Sequence, residues 1–139
     1  MVGLLLVTHG DLAKALVSSA ALIMGDAPLI ESYGLYHGEN VDDLENNIKQ
    51  AVIRLNKESN GDGVLILTDL FGGSPANETA KGLYELGDKV KAECVTGVNL
   101  PMLLEVATSK HFLSLEELKQ KCLEVGPQSV ISLKDRLKI

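Results

Sequence analysis

The first ten residues constrain this chain more than any other stretch. Val2-Gly3-Leu4-Leu5-Leu6-Val7 is an unbroken apolar run that ends in Thr8-His9-Gly10-Asp11 and passes into helical periodicity. A short run of this kind, followed by glycine and a polar cluster, reads as a strand buried on both faces that feeds a helix. His9 then sits at the strand's carboxyl end. In open α/β sheets ligands and chemistry gather at that edge, because loops there reach solvent from a rigid scaffold. Imidazole is also the side chain that changes charge, or carries a transferred group, near neutral pH. The alternative reading of His9 is a residue that helps cap the helix beginning near Asp11.

The pattern then repeats. Leu12, Ala15, Leu16, Ala20 and Ile23 recur at helical spacing, and Gly25 supplies a stop. Leu29 to Tyr36 alternates as a second strand and ends in His37-Gly38-Glu39-Asn40. Asn40 is placed to cap a helix with the stripe Leu44, Ile48, Ala51, Val52 and Leu55, closed by Asn60-Gly61. A third apolar strand, Gly63 to Asp69, runs into Leu70-Phe71-Gly72-Gly73-Ser74-Pro75-Ala76-Asn77. Two glycines permit a tight turn, Ser74 is suited to an N-cap, and Pro75 to the first helical position. Free N–H groups and the positive end of a helix dipole make such a turn an anion site. Without Gly-Lys-Ser/Thr it lacks the lysine of a nucleotide-binding loop, so a single phosphoryl group suits it better than ATP.

Lys89 to Val95 reads as a fourth strand, after which Asn99 is placed to cap a helix with Pro101 in its first turn. Ser114-Leu115-Glu116-Glu117 has capping-box spacing ahead of a helix carrying Leu118 and Leu123, with Gly126-Pro127 as its stop. Ser129 to Leu133 is apolar enough for a short edge strand. This order implies a single domain over residues 1–139, a three-layer α/β/α fold with a doubly wound, mostly parallel sheet of order 2-1-3-4. In that order strands one and three are neighbours whose connections leave in opposite directions, which opens a crevice between them. His9 and Asp69 should meet across it, with Gly72, Gly73 and Ser74 alongside. A carboxylate on one imidazole nitrogen fixes the ring and leaves the other nitrogen as a nucleophile, and the turn supplies donors for phosphoryl oxygens.

Such a donor set requires neither metal nor cofactor. His37 and His111 stand alone, without the spacing of a metal pair. Among 139 residues, 45% are hydrophobic, yet the apolar runs are too short for a membrane span, and a formal charge of -6 argues against nucleic acid as a partner. A chain that opens directly on its first strand is expected to be cytoplasmic, with Cys94 and Cys122 as core thiols rather than a disulfide.

Three separated motifs, Leu-Val-Thr-His9-Gly, Thr68-Asp69-Leu-Phe-Gly-Gly-Ser-Pro-Ala-Asn77 and Gly97-Val-Asn-Leu-Pro-Met102, resemble the IIA component of the mannose-family phosphoenolpyruvate-dependent sugar phosphotransferase system. The resemblance covers essentially the whole chain. It implies that His9 accepts a phosphoryl group from the carrier HPr and passes it to a IIB component, upstream of the membrane IIC and IID subunits. It also implies that Asp69 orients His9, that Gly72, Gly73 and Ser74 receive the phosphoryl oxygens, and that Thr8, Gly10, Phe71, Asn99 and Pro101 form the rim. Family members often have Trp where Phe71 stands. They form homodimers in which the C-terminal strand, here Ser129 to Leu133, crosses to the partner, and a chain of this length is expected to have its IIB on a separate polypeptide. Alternative readings are the phosphotransfer subunit of a dihydroxyacetone kinase, whose motifs usually read Ser-His-Ser and lack Gly-Gly-Ser-Pro, and a module that binds a phosphorylated ligand noncovalently. The transported sugar is not encoded in such a component.

Overall fold

A computed structural model describes all residues, 1–139. The chain runs β1 (Gly3–His9), α1 (Leu12–Met24), β2 (Ile30–Leu35), α2 (Val41–Glu58), β3 (Val64–Thr68), α3 (Ser74–Leu86), β4 (Ala92–Thr96), α4 (Leu100–Ser109), α5 (Leu115–Gln128) and α6 (Leu133–Leu137). The four strands form one parallel sheet in the order β2-β1-β3-β4. β1 and β3 are central and buried along their apolar lengths, which is why their sequences are continuous runs rather than alternations.

Alternate residues of these strands face two cores. Leu4, Leu6, Leu65, Leu67 and Val95 pack under α1, α4 and α5, while Leu5, Val7, Val64 and Ile66 pack under α2. The expected α2 stripe is buried at all five positions, and Asn40 caps that helix by accepting from the Asp42 N–H at 2.8 Å. The Ser114–Glu117 capping box is also present, with both reciprocal hydrogen bonds.

Three expectations are corrected. β4 begins at Ala92 rather than Lys89, because a 3-10 turn over Gly87–Lys89 consumes the earlier residues. α5 does not stop at Gly126-Pro127 but continues to Gln128 with Pro127 inside its last turn. The bare glycine instead receives the end of the Met102 side chain from α4, whose Cε would lie 2.6 Å from a Cβ at Gly126. Finally, Ser129 to Leu133 forms no strand. Ser129 closes α5, and Ser132 caps the short α6 by accepting from Asp135 N–H. Nothing pairs along the outer edge of β4, and the apolar tail residues Val130, Ile131, Leu133, Leu137 and Ile139 are exposed.

Within α1 the buried residues are Ala13 and Ala20, with Leu16, Val17 and Met24 partly covered, while Leu12 and Ile23 face solvent. In α5 likewise Leu118 and Cys122 are buried and Leu123 is exposed. Both cysteines are free thiols, and burial pushes Cys122 up to about 12.

At the amino end of the sheet, Lys110 is 1% exposed and has no carboxylate partner. Its ammonium donates to the carbonyl oxygens of Val2, at 3.4 Å, and Pro28. Burial lowers its pKa to about 8. Below that pH both folded and unfolded chains hold the proton and the desolvation cost is complete; between 8 and the unfolded value of about 10.4 the folded chain loses it first, so stability rises with pH. Denaturant unfolding at pH 7.5 and pH 10 should therefore show the native chain gaining about 1–3 kcal/mol relative to Lys110→Met. An equal pH response in both chains contradicts the buried-ammonium account.

Candidate functional site

The site lies at the carboxyl ends of β1 and β3. Their register pairs Val7 with Thr68, so His9 and Asp69 both emerge just past the last paired positions. One carboxylate oxygen, Asp69 Oδ2, accepts from the His9 backbone N–H at 3.0 Å and lies 2.8 Å from His9 Nδ1. Burial favours the neutral acid, but the backbone and ring hydrogen bonds from His9 outweigh it and hold the Asp69 carboxyl below its usual range. An ionised carboxylate only accepts hydrogen bonds, so Nδ1 carries a proton, and in the neutral ring the lone pair is then on Nε2. The His9 side chain is 48% exposed and Asp69 13%, which places the orienting group inside and the nucleophilic edge outside.

The residues around His9 fold this way for local reasons. Thr8 is fully buried, and its Oγ1 accepts from the Ala13 N–H at 2.8 Å, so Thr8 rather than His9 caps the start of α1. Gly10 takes a positive φ of 54°, and its N–H donates to the Leu35 carbonyl at 2.8 Å, tying the loop to the end of β2. Thr8 and Gly10 are thus supports beneath the imidazole.

The glycine turn reaches the ring directly. A Cβ placed on Gly73 would stand 2.8 Å from His9 Cε1 and 3.5 Å from Nε2, so only a bare backbone fits against this edge of the imidazole. Gly73, not Ser74, occupies the N-cap position, and Ser74 and Pro75 open the helix. Gly72 adopts a φ of 82°, its carbonyl accepts from the Asn77 Nδ2 at 3.2 Å, and the Gly73 carbonyl accepts from the Asn77 N–H at 2.9 Å. The first turn of α3 leaves N–H groups at Ser74 and Ala76 without intrahelical partners, directly after the Gly73 that stands against the ring. Phe71 extends from the same loop at 87% exposure.

Asn99 and Pro101 do not join this group. β4 stands two strands from β1, about 10 Å across the sheet. Asn99 caps α4 by accepting from the Met102 N–H at 3.0 Å, and donates to the Gly126 carbonyl and Ser129 Oγ. Pro101 is exposed in the first turn of α4. His37 lies in the exposed turn after β2, and His111 follows Lys110 at the other end of the sheet. The carboxylates of Asp42, Glu45 and Glu78 come within 4.8 Å of one another between α2 and α3, but the Lys81 ammonium stands 3.4–3.9 Å from all three and Lys49 bridges Glu45 and Glu85, so the cluster is an interhelical ion-pair network.

One contact at the site was not foreseen. The Tyr36 hydroxyl donates to Asp11 Oδ1 at 2.6 Å, and this bond raises the phenol above its ordinary range. Asp11 immediately precedes α1, where an acidic side chain reads as a cap, and that ambiguity hid its partner.

Residues 3–123 match the family model described as PTS system fructose IIA component. The chain is 31% identical over 129 residues to the fructose-specific EIIA component of Bacillus subtilis, covering 93% of this chain and 84% of that protein. It is 33% identical over 128 residues to the mannose-specific EIIAB component of Escherichia coli, covering 91% of this chain but 38% of that longer protein. Among solved structures, the EIIA component from Streptococcus agalactiae superposes with a TM-score of 0.86 at 26% identity, covering 97% of this chain and 99% of that one. The IIA protein associated with the fucose utilization operon of Streptococcus pneumoniae gives a TM-score of 0.81 at 30% identity, covering 97% and 95%.

Replacing Asp69 by Ala should leave the fold intact by circular dichroism, since the side chain lies at the end of β3 outside both cores. In ¹⁵N NMR of the imidazole, the native ring should show a protonated Nδ1 and an unprotonated Nε2. The variant should shift toward a mixture of tautomers, and an unchanged pattern would remove Asp69 as the orienting group.

Proposed function

This chain belongs to the EIIA-man family of sugar phosphotransferase system components, and on that premise we propose that it carries a phosphoryl group on His9 Nε2, received from phospho-HPr and delivered to a IIB component. The observation that carries the reading is the single carboxylate oxygen of Asp69 holding both the backbone and Nδ1 of His9, with Nε2 turned toward the Gly73 turn. In the transfer step, the Nε2 lone pair forms the new N–P bond as the donor's N–P bond breaks, and the donor histidine keeps that electron pair. His9 acquires positive charge, which the ionised Asp69 offsets through the Nδ1 proton without taking it up. The N–H groups of the α3 first turn and the Ser74 hydroxyl supply donors for the equatorial oxygens. Asp69 is a positioning residue in this scheme, and His9 is the catalytic one.

The reaction needs a bare approach to Nε2, and the half-exposed imidazole provides it. Leu70 and Phe71, 60% and 87% exposed in the loop that follows Asp69, give the apolar footing that two successive protein partners require. HPr and IIB docking in turn would be transient and bury a small area. IIC and IID act downstream, at the membrane. No helix of this chain is long and apolar enough to cross a membrane, and we place its work in the cytoplasm, where its phosphoryl donors reside.

We further propose a homodimer in which the tail past Ser129 pairs with the outer edge of a second copy's β4. The unpaired β4 edge and the exposed apolar residues from Val130 to Ile139 support it. Analytical ultracentrifugation should give a dimer at micromolar concentrations that becomes monomeric when residues 130–139 are removed; a native monomer at every concentration contradicts the exchange.

The direct test of the carrier role is phosphoryl transfer from phosphoenolpyruvate through purified enzyme I and HPr. Phosphorus NMR should show a histidine-linked signal in the native chain that is lost in His9→Ala. An unlabelled native chain beside active HPr would sink the assignment, whereas a phosphorylated ligand binding equally well to both chains would favour a noncovalent module.

A further inference from the structure

Asp11 stands two residues after His9 at the N-terminus of α1, where a carboxylate usually accepts a hydrogen bond from the helix's first N–H groups. It does not cap: its side chain bonds none of them, and Thr8 Oγ1 has taken the Ala13 N–H. Its Oδ1 is held instead by the Tyr36 hydroxyl at 2.6 Å, a short charge-assisted bond. Tyr36 follows β2, whose Leu35 is the register partner of His9. The surrounding backbone is built for this approach. A Cβ on Gly34 would stand 2.2 Å from the Gly10 carbonyl oxygen and 3.1 Å from Tyr36 Cε2, so the glycine opens the space that both occupy. With the Gly10 N–H on the Leu35 carbonyl, the segment Gly10-Asp11 is fastened to Leu35-Tyr36 by two hydrogen bonds, over a close backbone approach at Gly34.

We propose that Tyr36 is a positioning residue that acts on His9 through Asp11: its hydroxyl holds the Asp11 carboxylate against the end of β2 and so keeps a negative charge off the approach to Nε2. The inference deepens the phosphocarrier reading and rests on it for its kinetic consequence. An incoming phosphoryl group is an anion, and Asp69 already supplies the one carboxylate the transfer uses. A second carboxylate free to swing toward Nε2 would oppose the group electrostatically in this half-exposed setting. Asp11 is nonetheless favourable where it sits, beside the positive end of the α1 dipole. Of the other charged groups, Asp69 from the end of β3 bonds His9 and Glu39 from the turn after β2 acts on Tyr36, while His37 and Lys14 are near in sequence.

The test compares native protein with Tyr36→Phe, Asp11→Asn and the double variant. Asparagine keeps an acceptor for the tyrosine and removes only the charge. With saturating phospho-HPr, single-turnover labelling of Tyr36→Phe should be about 5- to 20-fold slower than native, Asp11→Asn should match native, and the double variant should recover to within about twofold. In parallel, the His9 ring is titrated by NMR without any phosphoryl donor. Tyr36→Phe should move the ring's titration to higher pH than native, as a freed carboxylate steadies the imidazolium, and Asp11→Asn should cancel the difference. A Tyr36→Phe chain with native rate and native titration overturns the proposal. So does a double variant as slow as Tyr36→Phe, because the hydroxyl would then act only as a structural pin. If the native chain takes no phosphoryl group, the carrier reading fails alone, and the titration still decides whether Tyr36 restrains the Asp11 charge.

Discussion

Parallel pairing of β1 with β3 governs everything else in this molecule. Once Gly3 to Val7 lies along Val64 to Thr68, the crossovers must leave in opposite directions, the helices must divide between two faces, and the residues just past each strand must share one crevice. Both strands are buried because both faces are covered, and burial in turn demands the apolar runs that make them recognisable. The pairing also explains why the site can be small. Two strand ends held in register by backbone hydrogen bonds bring His9 and Asp69 together without any further device, so a single carboxylate oxygen suffices to fix the ring.

That oxygen works under opposing pressures. Partial burial penalises the charge of Asp69, and the two hydrogen bonds from His9 restore it. The result is a carboxylate whose charge and position depend on the residue it orients. The Gly73 backbone completes the enclosure from the other side, at a distance that excludes even a methyl group. The imidazole is therefore confined at Nδ1 and along its Cε1 edge, while Nε2 remains open.

Most of the architecture was legible in the sequence, because parallel strands carry a dense signal. The runs at Leu4 and Leu65, the α2 stripe and the Asn40 and Ser114 caps each have one physical reading, and the structure bears them out. The misreadings fall where a residue serves two purposes. Gly126 reads as a helix stop by conformation and is a close-contact residue by packing. In α1 the sequence is apolar on nearly every face, so the choice between Leu12 and Ala13 as the inward position is made by the sheet, not by periodicity. The segment after Ser129 is apolar enough for a strand, yet in a single copy no sheet edge claims it. At the site, His9, Asp69 and the Gly72-Gly73 turn were visible because their positions follow from topology. Asn99 shares the same sheet edge but its side chain is committed to capping α4 and bonding Gly126 and Ser129. Tyr36 and Asp11 meet only because Gly34 lets two loops touch, and no pattern of spacing announces that.

The bare outer edge of β4 has a consequence for assembly. Unpaired N–H and C=O groups along a strand are a template for any extended chain, and this molecule carries an exposed apolar tail after Ser129. If each tail lies on the other copy's β4, the two exchanges are related by a twofold axis and growth ends at two copies. Were a tail to reach a copy whose own tail was engaged elsewhere, the same contact would have no closing rotation and would propagate as a filament. Under such an exchange, the length and direction of the last ten residues would separate a bounded particle from an open-ended one.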